Sequence, residues 1–377
     1  AQSHKKTFEE YKNELIENFL CFEEFIILET RKKGLSCLIQ FNRKNNKKSY
    51  IDFKDEAYTV SLTNNNDIKA RHFCFIFSSL RSPPSIFSQD LYTKKRKKIW
   101  NQKVLKHRET KYETKRISVS ARDGTKIPIS LVYKRGIKLS DAPLLQYGYG
   151  SYGLVVEPSF KFSFMPLIDE GFIFAIAHIR GGQDLGREWY DQGRMMNKMN
   201  TFNDFIDCTK KLHNKNIGNS RNTFAMGGSA GGLLMGVIIN LEPQLYKGIV
   251  SAVPFVDVLT TMSDESIPLT TFEYKEWGNP KNKKEYFYIK KYSPYDNISF
   301  QPYPSLLVTS SLYDSQVQYF EPAKYVPKLR DHTTSDNPIL LKMNMIGGHS
   351  GKSGRLSSLK ETAEELGFLK ALSKKDS

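Results

Sequence analysis

Residues 223–240, TFAMGGSAGGLLMGVIIN, decide the fold of this chain. They predict a buried strand, a cramped glycine-rich turn with Ser229 at its apex, and an apolar helix that begins after the serine. The spacing Gly227-x-Ser229-x-Gly231 is that of a nucleophile elbow, in which the serine has strained backbone angles and the glycines let neighbouring atoms pass close. The N-terminus of the helix directs amides at any oxyanion that forms there. We therefore predict that Ser229 is a nucleophile.

The composition indicates a globular protein with a basic exterior. The 377 residues, of which 39% are hydrophobic and 12% aromatic, allow a large core and about two domains. The 56 lysines and arginines outnumber the 40 acidic residues and give a formal net charge of +16. Because the lysines alternate with asparagines, as in residues 42–48 and 279–284, and no nucleic-acid motif accompanies them, we predict no nucleic-acid partner.

The sequence also favours a cytoplasmic protein without membrane contact. No run approaches the roughly 18 consecutive apolar residues of a membrane span, and no basic-then-apolar leader opens the chain. The four cysteines, Cys21, Cys37, Cys74 and Cys208, are scattered and form no C-x-x-C pair. We predict that they are reduced thiols and neither disulfides nor zinc ligands.

Short β-type runs occupy the first quarter of the chain, after a weakly helical segment at residues 1–18. The predicted strands are residues 22–28, 35–41, 58–62, 72–77 and 85–87, with turn-forming residues between them. Such a series is typical of a sandwich or of propeller blades. The charged residues 93–114 follow, and we interpret them as a linker between domains.

The remainder, residues 115–377, predicts an α/β-hydrolase. A hairpin at residues 116–120 and 126–133 precedes apolar runs that alternate with helix-length segments. The predicted strands are 142–146, 172–178, 223–226, 248–253, 305–310 and 339–345, and the predicted helices are 162–170, 202–213, the segment after Ser229, 320–329 and 356–372. This alternation is typical of a mostly parallel sheet covered on both faces, with the elbow in its middle.

In this fold the serine is followed along the chain by an acid and then by a histidine, each at the carboxyl end of a strand. His349 lies in a glycine-lined loop just beyond strand 339–345, whereas His332 lies in a polar segment that leaves a helix. We therefore predict His349 as the general base. Asp314 directly follows the strand that begins at residue 305 and is predicted to orient His349. The aspartates in turn-like or loop contexts are Asp257, Asp264, Asp296, Asp331 and Asp336.

Two donors are needed to stabilise the oxyanion. One is predicted to be the backbone amide of Ala230, the residue after the nucleophile. The segment QYGYGSYG at residues 146–153 follows a core strand, where this fold places its second donor. We assign that role to Tyr149. The alternative candidate in the segment is Tyr147, whose ordinary interpretation is a core residue.

Longer motifs make the chain resemble the oligopeptidase B branch of the prolyl oligopeptidase family of serine peptidases. They are YGYGSYG (147–153), HIRGGQDLGREWYDQG (178–193), NTFNDF (200–205), GGSAGG (227–232), DESIPLTTFEYKEWGNP (264–280), YSPYDN (292–297), YDSQVQYFEPAKYVPKLR (313–330) and GGHSGKSGR (347–355). The resemblance implies the same roles for Ser229, Asp314, His349, Tyr149 and Ala230. It further implies cleavage of short peptides after Lys or Arg, without a metal or organic cofactor.

The resemblance also implies acidic residues that bind the basic side chain of the substrate. In the segment at residues 272–276, Glu273 keeps the first acidic position, but the second is Lys275. A second acidic pair would fall at Glu157 and Ser159, so one carboxylate remains there. Glu276 is an acidic alternative, and we expect the preference for basic residues to be softened.

The family carries a complete seven-bladed propeller in front of the hydrolase domain, whereas residues 1–92 have room for its last one or two blades. We expect either a fragment of a longer protein or the product of a truncated gene, with exposed strand edges near residues 22–41. Two alternatives to a peptidase follow. One is an esterase that uses the same triad on small acyl substrates, and the other is a catalytically impaired remnant.

Overall fold

The structure, a computed structural model, describes residues 15–374 and begins with two four-stranded antiparallel sheets. The strands are β1 (Leu15–Cys21), β2 (Phe25–Lys32), β3 (Leu35–Asn42), β4 (Lys48–Ile51), β5 (Tyr58–Leu62), β6 (His72–Ser79), β7 (Ser85–Asp90) and β8 (Arg96–Asn101). Sequential strands pair within each sheet, in the orders β1-β2-β3-β4 and β5-β6-β7-β8. The two sheets share a core in which Ile27, Leu38, Phe73 and Phe75 are fully buried, so each sheet covers an apolar face of the other.

Two expectations for this region are wrong in detail. Residues 15–18 belong to strand β1 and are not helical, while the expectation for residues 1–14 lies outside the described residues. The predicted linker at 93–114 contains strand β8, which pairs with β7 and completes the second sheet. All six residues of β8 are exposed, and charged side chains are typical of edge strands, so its sequence lacks the apolar alternation that signals a strand.

A third sheet, of eight strands, organises the rest of the described chain. Its strands are β9 (Tyr112–Ser120), β10 (Lys126–Lys134), β11 (Leu144–Tyr147), β12 (Ile173–Ala177), β13 (Thr223–Gly228), β14 (Gly248–Ala252), β15 (Ser305–Ser311) and β16 (Ile339–Asn344). They lie in the order β16-β15-β14-β13-β11-β12-β10-β9. Only the pairs that involve β10 are antiparallel, and β11 to β16 run parallel. The predicted α/β-hydrolase architecture is confirmed.

Helices cover both faces of this sheet. They are α1 (Met165–Asp169), α2 (Arg187–Asp191), α3 (Met199–Asn214), α4 (Ala230–Leu241), α5 (Val258–Ser263), α6 (Thr270–Trp277), α7 (Lys283–Lys290), α8 (Phe320–His332) and α9 (Arg355–Ser373). Successive strand residues point to opposite faces, so Leu144 packs with α3 and α4 while Leu145 packs with α1 and α9. Helices α5, α6 and α7 were not predicted, and they fill the long connection between β14 and β15. Within residues 15–374, no helix is long and apolar enough to cross a membrane.

The topology brings four loops to one edge of the sheet. Strands β13, β14, β15 and β16 are consecutive neighbours and run parallel, so their carboxyl ends meet at the same edge. Ser229 follows β13 directly, Asp314 lies three residues after β15, and His349 lies five residues after β16. The chain therefore delivers the three predicted catalytic side chains to one rim.

Candidate active site

Ser229 occupies the turn between β13 and α4 with strained backbone angles. Its φ of 57° and ψ of −119° lie in a region that residues with side chains rarely adopt. Backbone hydrogen bonds hold it there, because its amide donates to the Ala252 carbonyl at 2.8 Å and its own carbonyl accepts from Gly232 at 2.8 Å. The predicted strain is present, and the serine lines a cavity.

The glycines of the elbow are required by close approach. A Cβ on Gly227 would lie 2.4 Å from the Gly231 carbonyl oxygen, and a Cβ on Gly231 would lie 2.9 Å from the Gly148 carbonyl oxygen. Both separations are too short for a side chain. The elbow can therefore pack directly against the segment that carries Tyr149.

Tyr149 lies beside Ser229 and lines the same cavity, together with Ala230. Burial raises the pKa of Tyr149 to about 12, and the neighbouring Ser229 side chain partly offsets that effect. The phenol is therefore a neutral hydrogen-bond donor near neutral pH. The amide of Ala230, the first residue of α4, has no carbonyl one turn earlier to bond. A hydroxyl and an amide are thus available next to the serine, while Tyr147 packs against the core on the other face of the sheet.

His349 and Asp314 form a hydrogen-bonded pair. His349 Nδ1 donates to Asp314 Oδ2 at 2.8 Å, and the aspartate side chain is fully buried while that of the histidine is 15% exposed. The other aspartate oxygen accepts the backbone amides of Gln316 and Val317, both at 2.9 Å. These bonds fix the carboxylate, which in turn fixes the tautomer and the orientation of the imidazole.

Ser229 and His349 line different cavities, and no hydrogen bond joins them among residues 15–374. The cavity that contains Ser229 is also lined by Gln316 and Val317, whose amides hold Asp314. On the opposite side, the Ala252 carbonyl that anchors the Ser229 amide borders the cavity that contains His349. In the described part of the chain no residue lines both cavities, and these hydrogen bonds are what link the two parts of the site.

The other histidine and acids considered from the sequence lie elsewhere or have other partners. His332 Nδ1 donates to the Lys328 carbonyl at 2.9 Å, and its ring stacks on Phe300. The buried Asp257 carboxylate pairs with Lys324. Among these groups, Asp314 is the one that contacts His349.

The Ser229 cavity has a volume of about 220 Å³, and among the described residues one carboxylate lines it, that of Glu273. Its walls include the apolar side chains of Phe255, Met262 and Trp277. Glu273 Oε2 accepts the Tyr152 hydroxyl at 2.8 Å and the Trp277 indole N–H at 3.0 Å. Burial raises the pKa of this carboxyl, and the two donors partly counter the shift.

The other predicted binding residues have different positions. Glu276 is 4% exposed and does not line the cavity, since its carboxylate accepts the Tyr152 amide at 2.9 Å and the Tyr190 hydroxyl at 2.5 Å. Glu157 does not line it either, because its carboxylate pairs with Arg31 of strand β2. The structure thus places only Glu273 of the three predicted acids at the cavity.

Lys275 is exposed and its side chain does not line the cavity that contains Glu273. Each residue of a helix turns the side-chain direction by about 100°, so Glu273 and Lys275, two positions apart, point to nearly opposite sides of α6. The expected softening of basic-residue preference by a like charge in the cavity therefore has no structural basis at Lys275.

Sequence reasoning missed Lys198, which is 1% exposed. Its ammonium group donates to the Gly150 carbonyl at 2.6 Å and to the Ser151 hydroxyl at 2.7 Å, and lies 4.0 Å from Glu276. Burial lowers the pKa of Lys198 to about 8, and the Glu276 carboxylate partly offsets the shift. A lysine next to an asparagine-rich helix start carries no local signal that it will be buried.

A doubly covered parallel sheet with a strained serine at the carboxyl edge of a central strand defines an α/β-hydrolase. Residues 158–376 match the family model described as prolyl oligopeptidase family, and residues 1–102 match the model of the prolyl oligopeptidase N-terminal β-propeller domain. The chain belongs to the prolyl oligopeptidase family.

Similar proteins include a dipeptidyl aminopeptidase BI from Pseudoxanthomonas mexicana, which is 44% identical over 94% of this chain and 49% of its own length. Protease 2 from Moraxella lacunata is 39% identical over 97% of this chain and 53% of its own length. Among solved structures, oligopeptidase B from Leishmania major aligns with a TM-score of 0.89 and 37% sequence identity. The alignment covers 96% of this chain and 52% of the Leishmania chain. The chain thus spans about half the length of these relatives.

Proposed function

We propose that the protein is a serine peptidase that cleaves peptides on the carboxyl side of Arg or Lys, with Ser229, His349 and Asp314 as its triad. The observation that carries this proposal is the hydrogen bond of 2.8 Å between His349 and a buried aspartate, at the same sheet edge as a strained serine. The similarity to Protease 2 and to oligopeptidase B supports a peptide substrate.

The proposed reaction proceeds by acyl transfer. The Ser229 hydroxyl attacks the carbonyl carbon as His349 Nε2 accepts its proton, and the resulting imidazolium is stabilised by Asp314. The Tyr149 hydroxyl and the Ala230 amide donate to the oxyanion. His349 then returns the proton to the departing amine, and water releases the acyl group by the same route.

The proposal requires His349 Nε2 to approach Ser229 when the substrate binds. Catalytic hydrogen bonds are often long or poorly aligned before the substrate is present. His349 lies in a loop whose neighbours Met345 and Ile346 are 59% and 74% exposed, so little core packing opposes a small displacement.

Preference for a basic side chain rests on Glu273. The aliphatic stem of an arginine would pack on the Trp277 and Phe255 rings, and its guanidinium would reach the carboxylate. Because Oε2 already accepts two hydrogen bonds, Oε1 is the oxygen that binds the cation. We also propose a cytoplasmic location, which fits the four free cysteines.

The test is hydrolysis of matched peptidyl amides that end in Arg, Lys or Leu, alongside simple esters, by the full chain. We expect cleavage of the Arg and Lys amides and loss of roughly 10⁵-fold or more in kcat for Ser229→Ala. Blocked and free N-termini distinguish internal cleavage from the release of dipeptides.

Hydrolysis of esters alone would refute the peptidase and favour the esterase. A folded protein whose Ser229 fails to react with a fluorophosphonate would refute catalysis altogether. Leu amides cleaved as well as Arg amides would refute the role of Glu273 but not that of the triad.

A further inference from the structure

Lys198 is a fully buried cation that the proposed mechanism does not use. Its ammonium group makes two hydrogen bonds to the segment at residues 150–152, and these are to the Gly150 carbonyl and the Ser151 hydroxyl. It also lies 4.9 Å from the centroid of the Trp277 ring. Burial of a lysine costs free energy unless its charge is paired and its N–H groups make hydrogen bonds. We therefore asked what this network of contacts does for the site.

Glu276, which carries the opposite charge, also binds the segment at residues 150–152. Its carboxylate accepts the backbone amide of Tyr152 at 2.9 Å and lies 4.0 Å from the Lys198 ammonium. The Tyr190 hydroxyl donates to its other oxygen at 2.5 Å. Lysine and glutamate thus bind three consecutive residues, and each offsets the charge of the other.

The segment that they hold is strained. Gly150 has a φ of 71° and Tyr152 a φ of 59°, and both values lie in the left-handed region. A non-glycine residue persists there when its surroundings fix it. The segment begins immediately after Tyr149, and the ring of Tyr152 lies 6.5 Å from the Tyr149 ring, so its conformation constrains the Tyr149 side chain.

We propose that Lys198, together with Glu276, is a positioning residue that fixes residues 150–152 and thereby holds the Tyr149 hydroxyl beside Ser229. This inference rests on the proposed function in so far as Tyr149 donates to the oxyanion. An ammonium suits the task because it carries three donors and a charge that neutralises Glu276. A neutral side chain of the same length would leave the Gly150 carbonyl and the Glu276 carboxylate with fewer partners.

The test is a double-mutant cycle of Lys198→Met and Tyr149→Phe. We expect Lys198→Met to lower kcat roughly 30- to 100-fold with KM changed less than about threefold, because a displaced donor fails in the transition state. Tyr149→Phe should lower kcat roughly 10²- to 10³-fold. The double variant should fall no more than about threefold below Tyr149→Phe, since Lys198 acts through the tyrosine.

Lys210→Met is the matched control, because Lys210 lies on α3 and pairs with Glu242 at 2.6 Å, away from the cavity. It should change kcat less than about twofold. Multiplicative losses in the double variant would overturn the proposal, as would an unchanged kcat in a folded Lys198→Met protein. If Lys198→Met does not fold, Ser151→Ala serves instead, because it removes one hydrogen-bond acceptor of the ammonium group. It should lower kcat about three- to tenfold. An unchanged kcat in Ser151→Ala would overturn the proposal.

Hydrogen exchange gives a readout that needs no activity. The Tyr152 amide, which donates to Glu276, should exchange at least about tenfold faster in Lys198→Met than in Lys210→Met. Equal exchange would contradict the inference even in an inactive protein. Absence of hydrolysis by the unmodified protein would instead count against the proposed function.

Discussion

The serine side and the histidine side of the candidate site are held in different ways. Ser229 lies between a buried strand and a buried helix, and its neighbouring glycines contact backbone at distances that exclude a side chain. His349 lies in a surface loop, where the amides of Ile346 and Gly347 donate to the Asn344 side chain at 3.1 and 3.0 Å. Among residues 15–374, the side chain of His349 makes one hydrogen bond, to Asp314.

This difference separates stability from catalysis. On the serine side, geometry follows from packing, so a change in Gly227 or Gly231 disturbs the fold as well as the site. On the histidine side, the orientation of the imidazole follows from the hydrogen bond to Asp314, so its loss should remove activity and leave the fold intact. The following predictions test that contrast.

Among the changes that test this contrast, the largest effect is expected for Asp314→Asn, with a fall in kcat of roughly 10⁴-fold. The asparagine oxygen can still accept the Gln316 and Val317 amides, so the loop after β15 keeps its hydrogen bonds. The amide NH₂ would face His349, whose Nδ1 must then accept, and the proton moves to Nε2. An imidazole protonated at Nε2 cannot take the serine proton. Peptide-amide hydrolysis and thermal unfolding measure the two properties.

Asp296→Asn is the control, because Asp296 is exposed and was an alternative acid in the sequence. It should retain activity within about twofold. If Asp314→Asn lost its stability along with its activity, the histidine side would depend on packing in the same way as the serine side, and the contrast would disappear.

The fold was predictable wherever a segment was long and its pattern clear. The sheet and the elbow follow from near-continuous apolar strands and from the glycines around Ser229. Helices α5, α6 and α7 were missed because they have six to eight residues, too few for a helical period to stand out. Strand β8 was missed because all of its side chains are exposed.

The candidate site was predictable in its chemistry but not in its supports. Chain order and strand ends were enough to select His349 and Asp314, which the structure joins. The partners of Lys198 lie 47 and 48 residues away along the chain, and Arg31 lies 126 residues from Glu157. Such pairings depend on the tertiary fold, so local sequence does not indicate them.

A smaller effect is expected for Glu273→Gln, on the serine side. We expect kcat/KM for Arg and Lys amides to fall about ten- to hundredfold, because a charge-assisted hydrogen bond to the substrate is lost. The glutamine oxygen still accepts from Tyr152 and Trp277, so the cavity walls stay in place. Leu amides should be cleaved at nearly the original rate.

Lys275→Gln is the matched control, since it removes a charge from the same helix at an exposed position. It should alter kcat/KM for Arg amides less than about twofold. If Glu273→Gln lowered kcat/KM equally for Arg and Leu amides, Glu273 would support the cavity and would not bind the cationic side chain of the substrate.

The smallest effect is a pH dependence of selectivity. Burial raises the pKa of Glu273, so its charge, and with it the binding of a basic side chain, is present above that pKa and lost as the pH falls through it. The loss should therefore begin at a higher pH than for an ordinary glutamate. Effects of pH on the triad are common to every substrate and cancel in the ratio of kcat/KM for Arg amides to that for Leu amides, so this ratio isolates Glu273. That ratio should fall by no more than about tenfold between pH 7 and 5. A ratio that stays constant in the unmodified protein would contradict the role of Glu273. A ratio that falls equally in Glu273→Gln would show that another group causes the pH dependence.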